Sequence, residues 1–343
     1  MKKLSFVNRI LFYLNLFFSV GLLVACVVPY TDSASLAFFS LAVPGLVIIN
    51  LMFVAYWALC KQILVVLPMA VCIYGYIALG SFINFEIPFK TVDEGGSLKL
   101  MTYNSRGFRG KEVGPESTAG DRIVKFINKE VPDIICFQEY DYRKMGKDSF
   151  EAYPYSIVNR EFGKVNERVN QAVFSKHKII GKGLLDLGNQ YNSVVYVDIV
   201  YKNDTLRVYS VHLQSLKIRP YHLKYERSDR LFSRLRKSFQ KQRQQAEILR
   251  RHMDSSPYKK LVAGDFNNNQ FSSVYFNVKG DLKDTFVEKG NGYGGTINFW
   301  KFPFRIDFIL VEPMFKVVTH QNYDINLSDH EPIMASIKIA SDE

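Results

Sequence analysis

Charge is almost missing from the first quarter of this 343-residue chain. Before residue 91 only Lys2, Lys3, Arg9, Lys61 and Lys90 are basic, and only Asp32 and Glu86 are acidic. A stretch so poor in charge cannot present an ordinary water-facing surface. Cysteine is also scarce, with four in all, and Cys26, Cys60 and Cys72 lie in that apolar stretch. Cys136 is therefore alone in the remainder. A lone cysteine excludes both a disulfide within its domain and a thiolate zinc site. In Asp133-Ile-Ile-Cys-Phe-Gln138 it reads as a small buried hydrophobe. There is no internal repeat and no low-complexity tract, which excludes solenoid and disordered classes.

What the first quarter does contain is three uncharged apolar runs, at about residues 10–30, 36–60 and 63–85. Each approaches or exceeds the ~20 residues that cross a hydrocarbon core of about 30 Å. Short polar breaks at 31–35 and 61–62 separate them. A cleavable leader fits poorly, because two further runs follow the first and no small-residue cleavage site stands out. Residues 1–85 are thus expected to be a membrane anchor of three transmembrane α-helices in a lipid bilayer. Asn15 and Asn50 are polar but not ionisable, so nothing resembles an ion pathway. Basic residues flank the first run and sit between the second and third, whereas Asp32 occupies the first break. By the positive-inside rule the amino terminus is cytoplasmic, and three crossings place the rest of the chain on the outer face.

Beyond a linker at 86–97, ending in Gly95-Gly96, the pattern changes to short β-rich runs punctuated by helices. Strands are expected at 98–103, 133–137, 171–175, 193–201, 206–213, 260–263, 306–311, 316–319 and 333–339. Helical spacing appears at 121–129 and 229–251; Leu231, Leu235, Phe239, Ala246 and Leu249 share one face of the latter. Many strands with few intervening helices predict an α/β or α+β sandwich of packed sheets flanked by helices over residues 98–340. The part after residue 90 carries 39 basic against 31 acidic residues, an excess that favours anionic partners without choosing among them.

Polar side chains recur where these strands end. Asn104 follows Leu-Met-Thr-Tyr, Glu139 follows Ile-Ile-Cys-Phe-Gln, and His212 closes Tyr-Ser-Val-His. Asp265 and Asn267 lie in Gly-Asp-Phe-Asn, Asp307 in Arg-Ile-Asp-Phe, and Asp329-His330 in Leu-Ser-Asp-His. One such residue is an ordinary turn or cap. Six sites restricted to carboxylate, imidazole and carboxamide instead describe functional groups presented by a rigid sheet. Hard oxygen ligands without cysteine suit Mg²⁺, with Mn²⁺ as a substitute. Histidine and asparagine add donors for the charge on phosphoryl oxygens. The residues alone therefore predict metal-assisted hydrolysis of a phosphate ester.

The series Thr102-Tyr-Asn, Phe137-Gln-Glu, Val211-His-Leu, Gly264-Asp-Phe-Asn, Arg305-Ile-Asp-Phe and Ser328-Asp-His resembles the endonuclease/exonuclease/phosphatase superfamily, in its order, over about residues 98–340. That superfamily includes pancreatic-type deoxyribonuclease, neutral sphingomyelinases and inositol polyphosphate 5-phosphatases. The resemblance implies a four-layer α/β sandwich with a divalent metal at its strand ends. It implies metal ligation by Glu139, with Asn104 and Asp329 helping through water. Asp265 would orient or deprotonate the attacking water, and Asn267 would hold it. His212 would donate to a non-bridging oxygen, and Asp307 would fix the tautomer of His330; whether Asp265 or His330 takes the proton stays open. Arg106, Arg168 and Asn170 are expected substrate contacts. Arg106 and His212 depart from the abasic-site endonucleases, towards the deoxyribonuclease, sphingomyelinase and phosphatase branches. Bacterial members with several amino-terminal spans look similar overall, which implies a cytoplasmic-membrane protein with its catalytic domain outside.

The substrate is left as nucleic acid, a phospholipid or an inositol phosphate headgroup, and no obligate protein partner is evident. The alternative is a non-catalytic membrane protein that binds phosphorylated ligands with the same fold. Residues 217–251 hold twelve basic and three acidic residues, which reads either as a solvated helix face or as an arm for polyanions. The segment Gly292-Tyr-Gly-Gly-Thr296 reads as a turn, and His177, His222, His252 and His320 as non-catalytic.

Overall fold

The computed structural model describes residues 5–85, 95–110, 118–163, 170–188, 192–218, 225–299 and 302–339. They form two compact units, one of Met1–Phe82 with Asn269–Phe276 and the other of Ile83–Asn268 with Asn277–Glu343.

The first unit is helical: α1 (Phe6–Val27), α2 (Phe38–Leu59) and α3 (Val66–Leu79). Leu22, Ala25, Val43, Leu46, Val71 and Leu79 form its core, together with Phe271 from the short second segment. The buried polar residues join α1 to α2. Trp57 Nε1 donates to Asn15 Oδ1 (3.2 Å), Asn15 to Ser19 Oγ (3.2 Å), and Ser19 to Asn50 Oδ1 (2.8 Å). Such bonds hold apolar helices together where burial alone offers no drive. Two helices, Phe6–Tyr30 and Phe38–Leu59, are long and apolar enough to cross a membrane. The third expected span is shorter than its run: the apolar helix covers only Ile63–Leu79. Gly80, at φ +83°, ends it, and beyond that point Asn84 exchanges backbone hydrogen bonds of 2.8 and 2.7 Å with Gly292. Residues 80–85 are therefore outside the helix, which corrects the expected run to residue 85.

The second unit is a sandwich of two mixed six-stranded sheets. The first sheet holds β1 (Leu98–Asn104), β2 (Ile134–Tyr140), β3 (Tyr155–Val158), β4 (Asn170–Ser175), β13 (Phe315–Asn322) and β14 (Ile333–Ile339). Its order is β13-β14-β1-β2-β4-β3. The second holds β5 (Ile179–Leu185), β6 (Ser193–Tyr201), β7 (Asp204–His212), β8 (Lys259–Asp265), β9 (Lys283–Asp284) and β12 (Asp307–Val311). Its order is β5-β6-β7-β8-β12-β9. A separate hairpin joins β10 (Ile297–Phe299) to β11 (Phe302–Phe304).

Period-two alternation builds the layers. Leu98, Leu100, Ile134 and Cys136 face the core between the sheets, with Leu206, Val208, Leu261 and Ile309 from the opposite sheet. Met101, Tyr103, Ile135 and Phe137 point the other way, against Ile123 and Ile127 of α4 (Ala119–Glu130). Cys136 is fully buried, and burial pushes its thiol up to about 12, so it is the inert hydrophobe expected. On the outside of the second sheet, Tyr209 Oη lies 3.0 Å from His252 Nδ1 of α5 (Ser228–Asp254).

One buried polar cluster bears on stability. Arg305 pairs with Asp284 at 2.6 Å, and Thr285 Oγ1 lies 2.8 Å from His320 Nδ1. Burial lowers His320 and, with Arg305, outweighs the Asp284 carboxylate to bring it to about 4. The unfolded chain takes up this proton at about pH 6.5, the folded chain only near 4. Stability should therefore be lost as pH falls through that window, by up to about 3 kcal/mol. Thermal unfolding between pH 7 and 4.5 should show a shallower slope in His320→Gln than in the wild type; equal slopes would contradict this account.

Candidate active site

Strand direction explains how six sequence-distant residues meet. β1 runs parallel to β2, and β7 parallel to β8, so Asn104, Glu139, His212 and Asp265 all lie at carboxyl ends. β12 runs antiparallel to β8 with Asp307 opposite Asp265, and β14 antiparallel to β1 with Ile333 opposite Thr102. Asp307 and the Asp329-His330 loop therefore enter the same end from the opposite direction. Gly264 permits a close approach: a Cβ there would come within 2.1 Å of the Val211 carbonyl oxygen. The adjoining ends of β7 and β8 bring His212 Nε2 to 3.9 Å from Asp265 Oδ2.

Asp265 is the hub. It is 1 % exposed. Its Oδ2 accepts from Asn104 Nδ2 (3.1 Å) and Asn267 Nδ2 (3.2 Å), and its Oδ1 from the Asn267 backbone N–H (2.7 Å). His330 Nε2 faces the same carboxylate at 3.8 Å, while His330 Nδ1 lies 3.0 Å from Asp307 Oδ2. Burial pushes Asp265 up to about 7, against the nearby His330. Burial alone would lower His330, but Asp307 and Asp265 outweigh it and hold it at about 10. His212 is lowered by burial, against the opposing Glu139 carboxylate. At neutral pH the site thus pairs an imidazolium, a carboxyl poised to titrate and a neutral imidazole.

Glu139 stands apart from this buried group. Its carboxylate is met by Asn104 Nδ2 at 3.5 Å and has no cationic partner among the described residues. Asn104 thus bridges Glu139 and Asp265, while its Oδ1 accepts from the Arg106 backbone N–H at 3.1 Å. Asp329 is half-exposed and lies 3.7 Å from Arg106 Nε. Asp265, Asp307 and His330 also offer ligand atoms all within 4.8 Å of one another. Asp265 and His330 are already engaged by Asn104, Asn267 and Asp307, and a nitrogen donor suits Mg²⁺ poorly; Asp307 Oδ1 alone is buried with no hydrogen-bond partner among the described residues. Glu139, with oxygen donors and no counter-charge, is the better fit for a hard divalent cation.

The backbone is strained where the site is built. Glu139 and Asn267 have positive φ (50° and 53°), and Arg106, Gly107 and Phe108 turn left-handed in succession (49°, 63° and 56°). Left-handed conformers of non-glycine residues cost about 1–3 kcal/mol each and persist where surroundings over-determine them. Here Ser105 Oγ donates to the Glu139 carbonyl oxygen (3.1 Å), and Phe108 stacks edge-on against Phe137 and Tyr140.

All eight expected catalytic and metal residues lie at this end of the second unit. Arg106 follows Asn104 into the site. Asn170 begins β4 opposite Tyr140, at the same end. Arg168 lies outside the described residues. Sequence reasoning missed the supports. Ser328 Oγ donates to the Asn104 carbonyl oxygen (2.8 Å), and Thr296 Oγ1 accepts from the Asp307 backbone N–H (3.2 Å). Gln242 of α5 donates to the Asn267 carbonyl oxygen (3.0 Å) and accepts from Asn268 (2.9 Å). Small hydroxyls beside candidate residues, and a glutamine on an apolar stripe, are the signals that could have found them.

Comparison with known proteins bears on the same segment. The profile of the Endonuclease/Exonuclease/phosphatase family matches residues 101–330. That of a domain of unknown function (DUF8431) matches residues 8–82. No curated protein matches. Solved structures share the fold. An endonuclease/exonuclease/phosphatase from Beutenbergia cavernae is 17 % identical, covering 71 % of this chain and 72 % of that one, with TM-score 0.54. One from Bacteroides vulgatus is 15 % identical over 71 % and 100 %, with TM-score 0.55. D. rerio TDP2 complexed with single strand DNA product is 13 % identical over 71 % and 100 %, with TM-score 0.54.

Proposed function

The chain belongs to the endonuclease/exonuclease/phosphatase family of metal-dependent phosphoester hydrolases, and from that premise we propose that it hydrolyses a phosphodiester at a membrane surface by in-line attack of water. The observation that carries the reading is the chain Asp265–His330–Asp307, with contacts of 3.8 and 3.0 Å, set beside an uncompensated Glu139.

In this reading Asp265 is the base. Its carboxyl titrates near 7, where a base is most effective, whereas His330 at about 10 is already protonated. Asn104 and Asn267 orient Asp265 and, through it, the attacking water. His330 presents its positive charge to the phosphate, and Asp307 fixes the ring. His212, neutral, donates to a non-bridging oxygen. Glu139, with Asn104 and Asp329 through water, would hold Mg²⁺ or Mn²⁺, which supplies charge neutralisation on the phosphoryl oxygens. Arg106, Arg168 and Asn170 are proposed substrate contacts.

Residues 1–85 are proposed as the anchor in a bacterial cytoplasmic membrane. Its helices present Tyr13, Phe17, Met52, Ile73 and Ile77 on exposed surface, as lipid-facing helices do. Two crossings leave the catalytic domain on the same side as the amino terminus. A third by Ile63–Leu79, about 25 Å long, places it outside, and that is the arrangement we propose. A reporter fused after Glu343 that is active only in the cytoplasm would refute it.

The activity is tested with the purified chain and Mg²⁺ on single-stranded DNA, RNA, sphingomyelin, glycerophospholipid and inositol phosphates. One class should be turned over, chelation should abolish turnover, and Mg²⁺ or Mn²⁺ should restore it. Phosphate-ligand binding without turnover of any substrate would instead leave a non-catalytic binding protein.

A further inference from the structure

α5 is charged in a way the active site does not use. Its buried stripe is Leu235, Ser238, Phe239, Gln242, Gln245, Ala246, Leu249 and Met253. Every acidic residue on or beside the helix is already paired. Glu226 meets Arg234 (2.8 Å), Asp229 meets Arg227 (3.1 Å), Glu247 meets Arg243 (2.8 Å) and Asp254 meets Arg250 (2.8 Å). Arg230, Arg236, Lys237 and Lys241 are exposed, and no described residue hydrogen-bonds or ion-pairs with them. At about 100° per residue, Arg230, Lys237 and Lys241 fall within roughly 40° of one another on the solvent side, with Arg236 roughly 100° further round the exposed surface. No acidic residue occurs between 230 and 241, or between 215 and 225 just before the helix.

A row of uncompensated cations is unfavourable to itself and is relieved by an anionic surface. We propose that the α5 face built on Arg230, Lys237 and Lys241 binds the anionic headgroups of a lipid bilayer. The face is one convex helix, which suits a broad charged plane; single nucleic-acid strands are held in basic grooves with stacked aromatics. The chain also carries two helices long and apolar enough to cross a membrane, so a bilayer is the polyanion kept at high local concentration. This rests on the membrane-surface reading and adds a lipid preference to it. Each cation brought to an anionic surface strengthens attachment about fivefold.

The full chain is reconstituted in nanodiscs of phosphatidylcholine alone, or of an equal mixture with phosphatidylglycerol. It is then labelled with an amine-reactive reagent and analysed by peptide mass spectrometry. Lys237 and Lys241 should react at least about threefold more slowly in the anionic discs, and high salt should erase the difference. Lys129, exposed elsewhere, serves as the internal control. An Arg230→Glu variant should lose the protection. Equal labelling in both discs overturns the proposal while leaving the anchor intact. A chain that does not co-elute with discs refutes the anchor, and the proposal with it. Protection by a single-stranded oligonucleotide in neutral discs, without protection by anionic lipid, reassigns the face to nucleic acid.

Discussion

Replacing His330 with alanine should lower kcat for phosphodiester hydrolysis by about a thousandfold or more. Two effects combine. The imidazolium facing the phosphate disappears, and loss of one preorganised donor costs about 10²–10³ in rate. Asp265 also loses the positive charge that restrains its pKa, so less of it is ionised at neutral pH. The two buried carboxylates of Asp265 and Asp307 are then left without the cation between them, which also costs stability. His330→Gln is therefore measured alongside; it keeps volume and one donor but no charge. Both variants are assayed on a chromogenic phosphodiester, with thermal unfolding to establish that they fold. A folded His330→Ala or His330→Gln enzyme with wild-type kcat would remove histidine from the mechanism.

Glu139→Gln should shift the cation requirement as well as the rate. The carboxylate has one weak neighbour, Asn104 at 3.5 Å, and no counter-charge among the described residues. Glutamine keeps the shape and loses the charge. The cation concentration giving half-maximal activity should rise at least about tenfold, and kcat at saturating Mg²⁺ should fall by about a hundredfold. Calorimetric titration of Mg²⁺ into the inactive Asp265→Asn background gives a second readout that does not depend on turnover. Activity curves that superimpose for wild type and Glu139→Gln would place the cation elsewhere, with the Asp265–Asp307–His330 group the next candidate.

The candidate site was legible in the chain because its side chains stand at the ends of short apolar strands. Leu98–Asn104 and Ile134–Tyr140 are buried along almost their whole length, and each runs directly into a polar residue. What was not readable depends on partners remote in sequence. β3 and β5 lie at sheet edges, and β5 is half-exposed along most of its length, so its pattern is weak. Ser328, Thr296 and Gln242 look ordinary until the Asn104, Asp307 and Asn267 backbones are placed beside them. The third apolar run was read too long for a related reason. Its composition stays apolar as far as Phe85, but Gly80 and the pairing of Asn84 with Gly292 end the helix at Leu79.

The order of strands has a consequence for the timing of activity during synthesis. β14 sits between β13 and β1, an interior position filled by nearly the last described part of the chain. Until it inserts, β1 has an open edge and the Asp329-His330 loop has no fixed place opposite Asn104. A ribosome-bound chain that has emerged only as far as Val311 holds Asp265 and Glu139 but lacks the imidazolium. If His330 acts as proposed, the growing polypeptide is silent at that stage, and the site is completed only when the two last strands, β13 and β14, join the sheet.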